Sequence, residues 1–330
     1  MDAFEEAVKQ ITGARSVELG EQIQSLWSGY GCIQRARVSG AETENVVIKH
    51  VDLSRARSNR RGWGGEQSHR RKVRSYQVET KFYQSYSAQS DPSWRIPKLV
   101  ATYEKPEESG WIMVLEDLDA AGFSERRSEL AAEDIQACLR WLANFHATFI
   151  GTDAAGLWPV GTYWHLATRP EELEAMPAGP LKQLASQIDR RLNEAEFQTL
   201  VHGDAKVANF CFSNGSARGI PPQVAAVDFQ YVGRGCGMKD VAYFISSCLS
   251  EGEAAAEQES LLSFYFRVLE DALADRGSAV EFARLEKEWR ELYPFAWADF
   301  CRFLIGWSPG HWKLNAYSTE MTQRVVQELG

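Results

Sequence analysis

Residues 209–228 hold the feature that most restricts how this chain can fold. Two short apolar runs, Asn209-Phe-Cys-Phe and Val224-Ala-Ala-Val-Asp228, flank a turn-rich segment at 213–223 and read as a β-hairpin. Antiparallel pairing brings Asn209 and Asp228 side by side. Five residues before Asn209 stands Asp204, in Val-His202-Gly203-Asp204-Ala-Lys206. One carboxylate able to orient or deprotonate a hydroxyl, beside an Asn and an Asp able to hold magnesium on ATP, is a donor set suited to phosphoryl transfer. Mg²⁺ takes one or two carboxylates and otherwise phosphate oxygens, so Asn209 plus Asp228 suffice. A lone His-Gly-Asp is equally a turn after a buried strand. The downstream Asn and the second Asp favour chemistry over the turn.

Upstream, Asn45-Val-Val-Ile-Lys49-His reads as a buried strand, where a lysine is costly unless paired. Over 68–85, Val73, Tyr76, Val78, Phe82 and Tyr83 recur at helical spacing, and this helix carries Glu79. Without Asp204 and Asp228, Lys49 and Glu79 would read as surface residues. Ahead of the Lys49 strand, Gly29-Tyr-Gly31 at a hairpin offers backbone that can approach phosphates. Such a pair is more often only a turn; its position before Lys49 is what raises it. Trp111-Ile-Met-Val-Leu-Glu116-Asp-Leu118 is an apolar strand running into acidic residues.

Taken together, His202-Gly-Asp204 with Asn209, and Asp228-Phe-Gln230, resemble the His-Arg-Asp…Asn and Asp-Phe-Gly elements of protein kinases. The departures are informative. Gly203 stands where protein kinases usually carry the Arg that pairs with a phosphorylated activation loop, Gln230 replaces a Gly, and no Ala-Pro-Glu follows. The chain therefore resembles the aminoglycoside phosphotransferase and choline kinase superfamily, which has a protein-kinase-like fold and phosphorylates small molecules. The Asp-Phe-Gln triplet and segments 71–83 and 297–317 are most similar to its ecdysteroid-kinase-like branch.

That resemblance implies an α+β, bilobal fold. Residues 1–118 would form an N-lobe with a small antiparallel sheet, and 119–330 a larger, mainly helical C-lobe. It also implies roles. Lys49 would reach the α- and β-phosphates while held by Glu79, and main-chain atoms of Glu116 and Leu118 would bond adenine at a hinge. Asp240, in Gly237-Met-Lys-Asp240, would brace the catalytic loop. Lys206 occupies a position where protein kinases often carry a Lys that contacts the transferring phosphate, whereas small-molecule kinases of this superfamily often carry another residue. A positive charge is most useful where phosphoryl charge develops, which favours a catalytic Lys206 over a surface one. Asp204 and Lys206 are thus the expected catalytic pair.

Bulk properties narrow the rest. The start, Met-Asp-Ala-Phe-Glu-Glu, is acidic and amphipathic, unlike a signal peptide, and no apolar run nears the roughly 18 residues a membrane span needs. Six cysteines lack a Cys-x-x-Cys pair and read as reduced, mostly buried thiols of a cytoplasmic protein. Net charge is −9, with 17 Lys+Arg against 16 Asp+Glu in 1–118 and 19 against 29 in 119–330. The acidic second region argues for a neutral or cationic acceptor and against nucleic acid, although acidity also serves solubility. The basic stretch 55–74 reads as a solvated loop entering a helix, with anion clamping as the alternative.

Two further segments matter. Residues 130–150 read as a helix with a core face; for His146 on this helix, a polar tip packed beneath the catalytic loop is favoured over a catalytic base. From 293 to 317, Tyr293, Trp297, Phe300, Leu304 and Trp307 follow helical spacing as a core stripe. Ser308-Pro-Gly310 then breaks the helix and leaves His311 and Trp312 on a loop. Trp307, His311 and Trp312 are the residues expected to meet substrate, in a cation-binding cage completed by Asp299 or Glu291. The expected function is ATP- and Mg²⁺-dependent phosphorylation of a hydroxyl on a small metabolite. A nucleotide-binding pseudokinase and a protein kinase are the alternatives, and a sterol-like alcohol, amino alcohol, sugar and antibiotic all stay open as acceptor.

Overall fold

In β3 (Asn45–Asp52), residues of both parities are buried, so this strand has to lie inside a sheet covered on each face. The computed structural model describes residues 3–26, 29–53, 66–105, 110–214 and 222–330. The chain divides into two compact units, Met1–Ser90 with Ile96–Glu125, and Asp91–Arg95 with Arg126–Gly330.

The first unit runs α1 (Ala3–Thr12), β1 (Ser16–Ser25), β2 (Gly31–Ser39), β3, α2 (Glu66–Ser85), β4 (Leu99–Lys105) and β5 (Gly110–Glu116). Its five strands form one antiparallel sheet in the order β1-β2-β3-β5-β4. Period-2 alternation sends Val46 and Ile48 to one face, where they pack with Val38, Ile112 and Val114 and with Val8 of α1. Val51 points the other way and packs with Tyr76 of α2 and with Trp111. Lys49 shares that second face, which is why it meets α2. Gly31 pairs with Val51 across the sheet. A Cβ there would lie 1.9 Å from the His50 carbonyl oxygen, so close backbone approach demands glycine at this position.

The second unit is mainly helical: α3 (Ala132–Phe149), α4 (Pro170–Ala175), α5 (Pro180–Asn193), α6 (Met238–Cys248), α7 (Glu251–Asp275), α8 (Phe282–Trp307) and α9 (Ala316–Leu329). Two small ribbons interrupt the helices. In one, β6 (Thr199–Val201) pairs with β9 (Gly233–Gly235); in the other, β7 (Phe210–Phe212) pairs with β8 (Val224–Ala226). The core is aromatic. Trp94 packs against Trp141, Phe145 and Phe149 of α3, and Trp141 reaches Phe210 of β7. This packing anchors the hairpin to α3.

The mixed architecture, with a five-stranded antiparallel sheet followed by a helical region, is the α+β class expected. The helix expected over 68–85 spans 66–85, and that over 130–150 spans 132–149. All six cysteines are free, four of them buried. No helix among the described residues is long and apolar enough to cross a membrane. Of the basic stretch, Arg55, Arg57, Arg60 and Arg61 and the glycines at 62, 64 and 65 lie outside the described residues.

Candidate active site

In the second unit, β7 and β8 pair Phe210 with Ala226, and the Val227 N–H donates to the Asn209 carbonyl at 3.0 Å. The hairpin therefore ends with Asn209 and Asp228 adjacent, the juxtaposition expected from the two runs. Asp228 holds φ at +70°, a left-handed conformation that Asp tolerates better than most residues but that still carries strain. Gln230 donates to its Oδ1 at 2.5 Å. The Gln of Asp-Phe-Gln thus supplies a side-chain donor that a glycine lacks.

Asp204 is 6% exposed and has both oxygens engaged. Oδ2 accepts from Lys206 Nζ at 3.0 Å and from Asn209 Nδ2 at 3.2 Å, and Oδ1 accepts from the Tyr243 hydroxyl at 3.2 Å. Asn209 Nδ2 also bonds the Asp204 carbonyl at 2.8 Å, which turns the amide oxygen of Asn209 away from Asp204. Burial raises the Asp204 pKa above the ordinary carboxylate value, and nearby Asp228 pushes the same way; Lys206 offsets only part of this. Burial alone would lower Lys206, but the Asp204 carboxylate outweighs it and raises that ammonium. A desolvated carboxylate that stays ionised beside a lysine is a stronger base than one in water.

Beneath this loop lies a fully buried polar chain. Asp240 Oδ2 and Oδ1 accept the His202 and Gly203 N–H groups at 2.6 and 2.9 Å, and Oδ2 also accepts from His146 Nε2 at 3.1 Å. The other His146 nitrogen bonds the Tyr265 hydroxyl at 2.7 Å. Asp240 is the brace, and His146 is the polar tip that supports it. His202 ties the loop to the hairpin: Nε2 donates to the Val227 carbonyl at 3.0 Å while Nδ1 accepts from the Asp204 N–H at 3.2 Å. Gly203 has φ +79°, and a Cβ there would lie 2.2 Å from the Tyr231 carbonyl oxygen. Packing against 231 excludes any side chain, which accounts for the absent arginine.

Metal chemistry fits the donors here. Among the described residues no group of three or more His, Cys, Asp or Glu side chains could hold a metal ion. The hairpin end instead offers one carboxylate and one amide oxygen, enough for a magnesium whose remaining ligands are phosphate and water.

In the first unit, Lys49 Nζ meets Glu79 Oε2 at 2.5 Å, with both side chains buried. Buried charges persist only when paired, and this pair is the one expected. Glu116 donates its N–H to the Lys98 carbonyl at 2.9 Å, and its side chain accepts from the Lys98 N–H at 3.1 Å. The Leu118 carbonyl accepts from the Phe123 N–H at 2.8 Å. Arg35 grips the same segment through Asp117 at 2.5 Å and through Asp119. Gly29, in the β1–β2 connection, and Gly31, the first residue of β2, hold φ at +76° and +143°, and the Leu26 N–H bonds the Gly31 carbonyl at 2.8 Å.

The aromatic segment keeps the expected core stripe except at Trp307. Tyr293, Trp297, Phe300, Phe303 and Leu304 are core, whereas Trp307 is 41% and Trp312 is 60% exposed. His311 bridges them, with ring centroids 6.4 Å from Trp307 and 5.8 Å from Trp312. Neither proposed cage carboxylate serves. Asp299 is buried, bonding Arg302 at 2.7 Å and the Trp164 indole at 3.0 Å, and the charges of Arg302 and Lys239 hold its pKa down against burial. Glu291 faces Arg191 at 3.9 Å, sixteen residues back along α8 from Trp307. The cation in this region is the chain's own Lys313, its Nζ 4.5 Å from the Tyr243 ring centroid. Sequence reading passed over Tyr243 and Lys313. Tyr243 could have been found one helical turn after Asp240, on the same face of α6.

A family profile, described as the ecdysteroid kinase-like family, matches residues 33–152 and 163–278. Compared with curated proteins, the sequence has no significant match. Among solved structures, amicoumacin kinase hAmiN, in complex with AMP-PNP, Ca²⁺ and Ami, is 14% identical with a TM-score of 0.53, covering 100% of this chain and 93% of its own. Choline kinase LicA from Streptococcus pneumoniae is 14% identical at TM-score 0.46, covering 99% and 98%. Macrolide 2'-phosphotransferase MphH from Brachybacterium faecium, as apoenzyme, is 14% identical at 0.46, covering 100% and 97%. At these identities the first likeness speaks for the fold alone.

Proposed function

The chain belongs to the ecdysteroid kinase-like family, and from that premise we propose that it is a cytoplasmic kinase that transfers the γ-phosphate of ATP to a hydroxyl of a small molecule. The observation that carries this reading is Asp204, buried yet held by Lys206, Asn209 and Tyr243 beside an Asn–Asp hairpin end. Asp204 accepts a hydrogen bond from the acceptor hydroxyl and takes its proton as the new O–P bond forms and the bond from γ-phosphorus to the ADP oxygen breaks. Lys206 would place positive charge beside the transferring γ-phosphoryl group, where negative charge develops. Asn209 and Asp228 would hold Mg²⁺, which neutralises phosphate charge when bound. Lys49, fixed by Glu79, would meet the nucleotide phosphates, with Gly29 and Gly31 supplying backbone and main-chain atoms of Glu116 and Leu118 meeting the base. Trp307, His311 and Trp312 would line the acceptor.

Calorimetry tests the nucleotide half of this reading. Wild type should bind MgATP, and Asp228→Ala should lose the magnesium-dependent part of that affinity, because it removes the one carboxylate proposed for the metal. Equal MgATP affinity in both proteins would remove Asp228 from the metal site. No binding to either would leave the fold without the activity.

A further inference from the structure

Lys313 lies in the turn between α8 and α9, and its position is fixed at both ends. Its N–H bonds His311 Nδ1 at 3.2 Å and its carbonyl accepts from the Ser318 hydroxyl at 2.6 Å. The side chain runs inward, leaving the residue 8% exposed. Its ammonium sits 4.5 Å from the Tyr243 ring centroid, 5.3 Å from Phe300 and 5.6 Å from Trp312, and donates to Ser246 Oγ at 3.2 Å.

An ammonium has three N–H donors, and Ser246 uses one. Aromatic faces stabilise the charge without accepting a full hydrogen bond. No ion pair involving Lys313 is formed among the described residues, in contrast with the Lys49–Glu79 pair. Burial accordingly pulls its pKa down to about 8, and the attraction of Asp204 restores only part of the loss. An incoming oxyanion would supply the missing partner, whereas an incoming cation would be repelled.

Placement makes this a matter of acceptor choice. Tyr243 touches both groups: its ring lies under the Lys313 ammonium and its hydroxyl bonds Asp204 Oδ1. A ligand that gives an oxygen to Lys313 can therefore present a hydroxyl to Asp204 about one phenol ring away. Trp312, the most exposed large apolar side chain of the described residues, flanks the ammonium. The aromatic cage that would suit an organic cation is filled by the chain's own lysine.

We propose that Lys313 selects the acceptor, pairing with an anionic oxygen group carried by the alcohol to be phosphorylated and excluding cationic amino alcohols. The inference rests on the kinase reading given above and deepens it. The probes are ω-hydroxycarboxylates from glycolate to hydroxyhexanoate and amino alcohols from ethanolamine to aminohexanol, each offered to the full chain with MgADP for binding and MgATP for transfer. Wild type should favour hydroxycarboxylates. Lys313→Met should weaken their binding about ten- to a hundredfold, as loss of a hydrogen bond to a charged group does, and leave the ATP KM unchanged. Lys313→Arg should keep the preference. A wild-type preference for amino alcohols, no hydroxycarboxylate binding, or equal binding by Lys313→Met overturns the proposal. A Lys313→Met effect on ATP KM alone assigns the oxyanion to the nucleotide and overturns it too. Absence of transfer with hydroxycarboxylate binding that still depends on Lys313 overturns the kinase reading and spares this one.

Discussion

The loop and hairpin from His202 to Gln230 and the aromatic segment from Tyr293 to Lys313 belong to the same unit but are built on opposite terms. In the first, nearly every buried polar group has a named partner: Asp240 serves two backbone N–H groups, His202 bridges Val227 to Asp204, and Gln230 holds Asp228. In the second, helical packing buries most rings, and the polar group that matters, Lys313, has aromatic faces and a single hydroxyl. A hydrogen-bonded network specifies residue type and position together. An aromatic stripe specifies only size and period, so its members divide between core and surface according to where the helix stops.

Five substitutions test that contrast, grouped from the largest effect downward. Asp204→Asn should lower turnover by roughly 10²–10⁴, since the base is lost while the fold and MgATP binding remain. Turnover near wild type in steady-state assays would remove Asp204 from its role. In the aromatic segment, Trp297→Ala should cost about 3–5 kcal/mol by urea unfolding because the indole is core. Trp312→Ala should stay within about 0.5 kcal/mol and act on the acceptor KM alone. Similar stability losses for the two would erase the division between core and surface.

Gly203→Ala tests the packing behind the loop. With φ at +79° and a carbonyl oxygen 2.2 Å from the new Cβ, it should destabilise by about 1–3 kcal/mol and lower turnover, through displacement of Asp204. Full stability in the melting curve would refute the packing account of the missing arginine. The smallest effect is electrostatic. A lysine whose folded pKa is lowered binds fewer protons folded than unfolded between pH of about 8 and 10.5, so stability should rise with pH across that window. Below it, the cost of the buried cation is fully present. Lys313→Met should remove that rise, and an identical pH profile in the variant would show that Lys313 is not desolvated.

What the sequence made legible follows the same division. Asn209 and Asp228 were readable as neighbours because two short runs and a turn leave little choice of register. Glu79 could be picked from α2 because its neighbours Tyr76, Val78, Phe82 and Tyr83 mark the buried face. Asp240 and His146 followed from the family resemblance. Asp299 was misread as an available carboxylate because helical spacing places it on the core face without disclosing that Arg302, one turn on, neutralises it there. Lys313 was missed because nothing local distinguishes a lysine at the end of an aromatic segment from one in solvent; only the fold brings Tyr243 and Phe300 beneath it. The net acidity of residues 119–330 pointed toward a neutral or cationic acceptor, but a regional average says little about a site where Lys206 and Lys313 both act on Asp204.

The central claim is that Asp204 drives phosphate transfer to a small-molecule hydroxyl, and mass spectrometry of reaction mixtures tests it most directly. Wild type and Asp204→Asn would each be incubated with MgATP and a pooled set of hydroxylated metabolites that includes the hydroxycarboxylates. At least one compound should gain a phosphate group with wild type and, over the same time, gain almost none with Asp204→Asn. A phosphorylated product formed equally by both proteins, or ATP binding by wild type with no phosphorylated product in any pool, would contradict it.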